Sequence, residues 1–143
     1  MINYFVMVGN EDNWKIAVSS GLWVAGRRKT MKEVKKGDKI IAYLSLGWFA
    51  FFGVFRATFD SYKDDSPTIF EVNPRKYQYR VKIAPEILPE NPVSIRPLIN
   101  RLSFIKDPDI WGAYFQNSVR KISKEDFEKI LSHIKLEGEI KKE

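Results

Sequence analysis

Two apolar segments stand almost back to back in this chain: residues 39–45, KIIAYLS, and residues 49–59, FAFFGVFRATF, parted by Leu46-Gly47-Trp48. β-branched and aromatic residues dominate both, and apolar side chains follow one another without the alternation of a half-exposed strand. Strands of that kind are covered on both faces. The short glycine-containing break joins them as a hairpin. Gly53, inside the second run, marks a bulge or a close backbone approach. A hairpin buried on both sides needs other elements on either side of it, and the rest of the chain must supply them.

It has the material. Residues 2–8 read as a first strand beginning at once, without the basic-then-apolar profile of a signal peptide. Asn10 caps a helix with Glu11 and Asp12 in its first turn, Trp14, Ala17 and Val18 on its apolar face, and Gly21 at its end. Leu22-Trp23-Val24 is a short strand. Thr30 caps one turn over Met31 to Val34, with Glu33 at the capping-box position, and Lys36-Gly37-Asp38 is a turn. Residues 60–76, polar and holding Pro67 and Pro74, form a long excursion of the sort that often carries function. Tyr77, Tyr79, Val81 and Ile83 then alternate with Gln78, Arg80 and Lys82 in a half-exposed strand. Beyond Pro85, Pro89 and Pro92 come a short proline-led helix at 95–99, helical turns over 107–115 with Trp111, Tyr114 and Phe115, and a last strand at 118–122. Ser123 with Asp126 opens a closing helix on Phe127, Ile130, Leu131 and Ile134. With no internal repeat or linker, residues 1–137 read as one α+β domain and 138–143 as a charged tail that frays.

The chemistry of a typical enzyme is sparse. There is no cysteine and one histidine, His133, in the closing helix. That removes disulfides, thiolate metal sites and a cysteine nucleophile, and it agrees with a reducing cytoplasm, where we place the chain. No carboxylates cluster at metal-ligand spacing, no nucleophile elbow appears, and no glycine loop has the spacing that cradles phosphates. Asp64-Asp65 reads as a solvated turn. We therefore expect no cofactor and no metal, and take catalysis as the less favoured class. Lys, Arg, Asp or Glu interrupt every apolar run well short of a membrane span, so no membrane partner is expected. The formal charge of +6, from 24 Lys and Arg against 18 Asp and Glu, favours a polyanionic partner without demanding one. A thermophile-like richness in Lys, Glu and Ile accounts for part of it.

The segment 21–29, GLWVAGRRK, sharpens that reading. A nucleobase pocket needs a flat aromatic face, worth roughly 1–3 kcal/mol per stacked base, with cations nearby for phosphates. Trp23 and the run Arg27-Arg28-Lys29 offer both. A core tryptophan beside a solvated basic run is the competing reading.

Four places, in order, carry a family resemblance. Trp23 to Arg28 followed by Met31 resembles a Trp-x-Gly-Val-Arg stretch, with the small residues permuted in Val24-Ala25-Gly26. The segment 35–43, KKGDKIIAY, resembles a Lys-x-Gly-Asp turn and its strand. Gly53-Val54-Phe55 resembles the Gly-Ile/Val strand that follows, and Ser118 to Ser123 resembles the closing Ser-Val-x-x-Val-Thr/Ser. The ordered set is similar to the EVE domain, of the PUA-like superfamily related to the YTH readers of methylated adenosine. The resemblance implies a single-domain mixed β-barrel flanked by helices, holding a flipped, modified base in an aromatic pocket. Trp23 matches the family's cage tryptophan, and Asn13 an asparagine able to bond a base edge. Phe70 in the long loop is the choice for a second wall, with Trp48 in the hairpin as its rival. Arg27, Arg28 and Lys29 would hold phosphates, and Arg80 and Lys82 would extend that surface.

The expected function is thus a nucleic-acid-binding module recognising a flipped, modified base in RNA or DNA. Two other classes stand beside it. A nucleotide- or amide-directed hydrolase on a PUA-like fold would place Lys29 or Glu33 in a pocket beside the tryptophan. A protein-interaction module would bury Trp23 with no cavity at its side.

Overall fold

The computed structural model describes residues 1–26, 29–45, 47–116 and 118–138. Arg27 and Arg28, Leu46 of the hairpin break and positions 139–143 of the expected tail lie outside the described residues. Among the described residues the strands are β1 (Tyr4–Gly9), β2 (Leu22–Ala25), β3 (Lys39–Leu44), β4 (Ala50–Ala57), β5 (Tyr62–Lys63), β6 (Tyr79–Ile87), β7 (Val93–Ser94) and β8 (Val119–Ile122). Helix α1 spans Glu11–Ser20 and α2 spans Lys124–Glu137. Among the described residues three 3₁₀ helices, Lys29–Glu33, Arg96–Leu98 and Pro108–Phe115, fill connections.

The hairpin is the spine. The strands run in the order β2-β6-β4-β3-β1-β8, with β5 on β6 and β7 on β4. β1 joins β3 in parallel and every other pairing is antiparallel, giving a mixed sheet that curls into a half-barrel. Both faces of the hairpin are covered, as its composition predicts. On one side Ile40, Ala42, Leu44 and Phe55 pack with Phe5 and Met7 against α1 and β2. On the other, Ile41, Tyr43, Phe51 and Val54 pack with Val6 against α2 and the segment 93–115. Each large side chain so buried contributes about 1.5–3 kcal/mol.

Local chemistry explains the boundaries. Asn10 accepts from the Asn13 N–H to start α1, and Gly21, at φ 70°, ends it with its N–H on the Ala17 carbonyl. Gly53 is a close approach: a Cβ there would meet the Ile87 carbonyl oxygen at 2.7 Å. The bulge lies beside it, where the register passes from Ala42↔Gly53 to Tyr43↔Phe51. Ser123 accepts from the Asp126 N–H to open α2. The Asp126 carboxylate, however, turns to Ser103, taking its N–H at 2.9 Å and its hydroxyl at 2.6 Å.

Several expectations change: Thr30 lies inside the 3₁₀ turn Lys29–Glu33 and does not cap it, and the excursion 60–76 holds the short strand β5. The strand placed at 77–83 begins at Tyr79 and runs on to Ile87 through Pro85, because Pro85 faces Phe55 at a register shift where a missing N–H costs little. Its polar face is also not evenly exposed. The excursion 60–76 folds back over Arg80 and leaves it 5% exposed, while Lys82 stays in solvent.

Candidate nucleic-acid interface

The end of β1 and the start of α1 meet β2 at an aromatic cluster. Trp14, on the buried face of α1, lies flat on Trp23, with ring centres 3.6 Å apart and planes 2° from parallel. The Trp14 indole N–H donates to the Tyr43 carbonyl at 3.3 Å, which fixes the orientation of the stack. Gly9 ends β1 against the Trp23 ring edge, where there is no room for a Cβ. Phe70 closes another side edge-on, 5.8 Å from Trp23 at 81°. The cluster is dry: Trp14 is fully buried, Phe70 is 3% exposed and Trp23 4%.

The four residues chosen from sequence for a base therefore fall in different places. Trp23 and Phe70 do meet, at right angles. Trp23 is a core residue in this arrangement, with one ring face taken by Trp14. Asn13 is half-buried at the first turn of α1. Its backbone N–H is held by Asn10, and its side-chain amide makes no hydrogen bond among the described residues. Trp48 is half-exposed on the hairpin and is not a member of the Trp23 cluster. Its neighbour Phe49, at φ 48°, packs edge-on against Trp111 on the other side of the sheet. The residue that sequence reasoning left in the core, Trp14, is the one that decides how Trp23 is used.

The cations divide in the same way. Lys29 and Lys82 are exposed. Arg80 is not a free phosphate ligand. Its guanidinium bonds the Ser66 carbonyl and hydroxyl and pairs with Asp64 at 3.4 Å, bracing the long loop from beneath. The Ser66 N–H, above all, then its hydroxyl and Arg80, hold the Asp64 carboxyl below its ordinary value, with desolvation pulling the other way. Glu33 is exposed and pairs with Lys121 at 3.3 Å, so neither it nor Lys29 sits as a buried acid or base beside Trp23.

A cavity of about 430 Å³ opens on the other face of the sheet between Val8, Tyr43, Ser45, Phe49, Phe115 and Gln116. Tyr43 is 1% exposed, stacks on Phe115 at 4.2 Å, and its hydroxyl has no partner among the described residues. Burial pushes its ionisation far up from 10.0, with Arg96 pulling weakly the other way. Among the described residues no His, Asp and Glu side chains group as a metal site, and no helix is long and apolar enough to cross a membrane.

The mixed half-barrel with its flanking helices is a PUA-like fold. The chain belongs to the EVE domain family, whose model matches residues 3–133. It is 32% identical over 142 residues to a UPF0310 protein of Pyrococcus abyssi, covering 92% of this chain and 99% of that one. The fold is similar to that of human THYN1 in complex with 5-methylcytosine-containing DNA, at a TM-score of 0.65 and 15% identity, over 91% of this chain and 96% of that one. It is also similar to the YTH domain of Zygosaccharomyces rouxii MRB1 in complex with N6-methyladenosine RNA. There the TM-score is 0.66 and the identity 17%, over 92% of this chain and 85% of that one.

Proposed function

We propose that this chain is a cytoplasmic nucleic-acid-binding module that takes up a flipped, modified base against Trp23. The observation that carries the reading is the right-angled Trp23–Phe70 pair, in which a tryptophan on the sheet is walled by a residue from a loop. Membership of the EVE family and a fold shared with proteins solved on methylated DNA and RNA support it.

Trp14 is locked into helix and core, so the base enters from the Phe70 side. The backbone of Phe70 is held by its own turn, its N–H donating to the Thr68 hydroxyl and its carbonyl accepting from Val72, while its ring is held by burial against Trp23. Displacing its ring costs about 1.5–3 kcal/mol of burial, and stacking a base returns about 1–3 kcal/mol. The exchange is near balance for a plain base. A methyl group adds about 0.8 kcal/mol of apolar burial and tips it, while the Asn13 amide reads the edge. Net affinity must then come from phosphates, which makes it salt-dependent. No bond is made or broken.

The burial of Trp23 favours one other reading, a protein-interaction module whose indole only fills the core. The test is binding of 5-methylcytosine DNA and N6-methyladenosine RNA, each beside its unmodified counterpart, to wild type and Phe70→Ala. We expect one modified ligand to bind more tightly than its counterpart, with the ratio changed in the variant. Equal affinity throughout, indifferent to both salt and the substitution, would leave the interaction module.

A further inference from the structure

Two aromatic side chains lie in solvent where the fold gives them no work. Phe59, just beyond β4, is 57% exposed and Tyr62, on β5, is 37% exposed. They border a groove with lysines on both sides. Lys36, Phe59, Asp60, Tyr62 and Lys82 enclose about 600 Å³ of it. Lys32, Ser61, Tyr62, Lys63 and Tyr79 enclose about 290 Å³ more, and Tyr62 belongs to both parts.

The arrangement is specific in its charges. Lys82 Nζ lies 4.9 Å from the Phe59 ring centre, and Lys32 Nζ 5.5 Å from that of Tyr79. Lys32, Lys36, Lys63 and Lys82 make no ion pair among the described residues, as holds for most of the described cations, so it is their convergence on Phe59, Tyr62 and Tyr79 that sets the groove apart. The single carboxylate of the groove, Asp60, accepts from the Lys36 backbone N–H at 2.9 Å. The part of the groove at Lys82 faces away from the Trp23 cluster, whereas Tyr79, at its other part, packs against that cluster. Trp23 pairs with Val81 and Leu22 with Lys82, and successive strand positions face opposite ways, so Lys82 points away from the core that holds Trp23.

We propose that this groove is a second nucleic-acid site, a track for unmodified single strand whose bases stack on Phe59 and Tyr62 and whose phosphates meet Lys32, Lys36, Lys63 and Lys82. It rests on the reading of the chain as a nucleic-acid binder and sets Lys82, already expected to meet phosphates, in a groove with two stacking rings that the base site does not use. Exposed π faces suit any base, and unpaired ammonium groups suit phosphates as point charges, without the fork geometry that selects a base edge. The track is therefore sequence-tolerant. It holds the strand while the base site tests one nucleotide.

The experiment titrates labelled unmodified oligouridylate into wild type, Lys32→Gln/Lys82→Gln and Phe59→Ala/Tyr62→Ala, over a salt series. All four positions carry solvent-facing side chains, and thermal melting verifies that each variant is folded. The lysine pair should weaken binding roughly tenfold and lower the salt slope by about 1.4, at about 0.7 per phosphate contact on a single strand. The aromatic pair should weaken it by roughly thirtyfold or more with the slope unchanged. Both should scale modified and unmodified affinities alike, leaving their ratio intact. Loss of that ratio in wild type, with oligouridylate still bound through these residues, would sink the base-pocket reading alone. Absence of oligouridylate binding at low salt, or binding unchanged in both variants, overturns the track. So does competition by polyglutamate as effective as by oligouridylate, which assigns the groove to an acidic protein.

Discussion

The indole of Trp14 lies on that of Trp23 at graphite-like spacing, 3.6 Å with planes 2° apart. A tryptophan already stacked on one face offers a ligand only the other, so Trp14 sets the side from which anything can approach. It also makes the pair a stability element. Trp14→Ala should cost about 3–5 kcal/mol in denaturant unfolding.

Gly9 is the backbone counterpart of that pair, because the Trp23 ring edge occupies the space of a Cβ. Gly9→Ala should destabilise by about 1–3 kcal/mol through overpacking and disturb the tryptophan emission. A neutral outcome in chemical denaturation, with unchanged fluorescence, would mean that the ring is not seated there.

Tyr43 carries a buried hydroxyl without a partner among the described residues. Tyr43→Phe removes that group and should raise stability by about 1 kcal/mol or more. The pH dependence has a definite sign. Burial raises the folded-state pKa above 10.0, so beyond pH 10.0 the unfolded chain releases this proton while the folded chain keeps it. The unfolded state then binds fewer protons, and stability falls as pH rises. Thermal melting from neutral to strongly alkaline pH should show a shallower alkaline decline for Tyr43→Phe than for wild type.

Asp126 is 1% exposed and bonds both the N–H and the hydroxyl of Ser103, tying α2 to the segment before it. Asp126→Ala strips two donors at once and should cost about 2–3 kcal/mol. Asp126→Asn, which keeps an acceptor, should recover part of that loss in the same unfolding experiment.

Much of the fold was legible because local chemistry fixes it. Asn10 and Gly21 bound α1, Ser123 opens α2, and the unbroken apolar runs of β3 and β4 required cover on both faces. What sequence did not reveal was partnership. Nothing in residues 4–9 says that they lie parallel to 39–44, since apolar periodicity names a face and not a neighbour. Arg80 read as surface because the strand alternates, and only the return of the loop makes it interior. The candidate site failed to read through for the same reason. Trp23 and Phe70 could be chosen by type and position, but the stacking of Trp14 is a tertiary fact. Trp48, equally eligible by type, stands out in solvent.

The loop between β4 and β6 serves two masters. Near its start it sets Tyr62 in the outer groove, further on it sends Phe70 inward onto Trp23, and Arg80 pins the stretch between them. Outer and inner surfaces therefore hang on one length of chain, like two doors on a single hinge pin. Insertions here, commonly harmless in a surface loop, would shift the register of one against the other. The length of this one segment therefore bears on both surfaces at once.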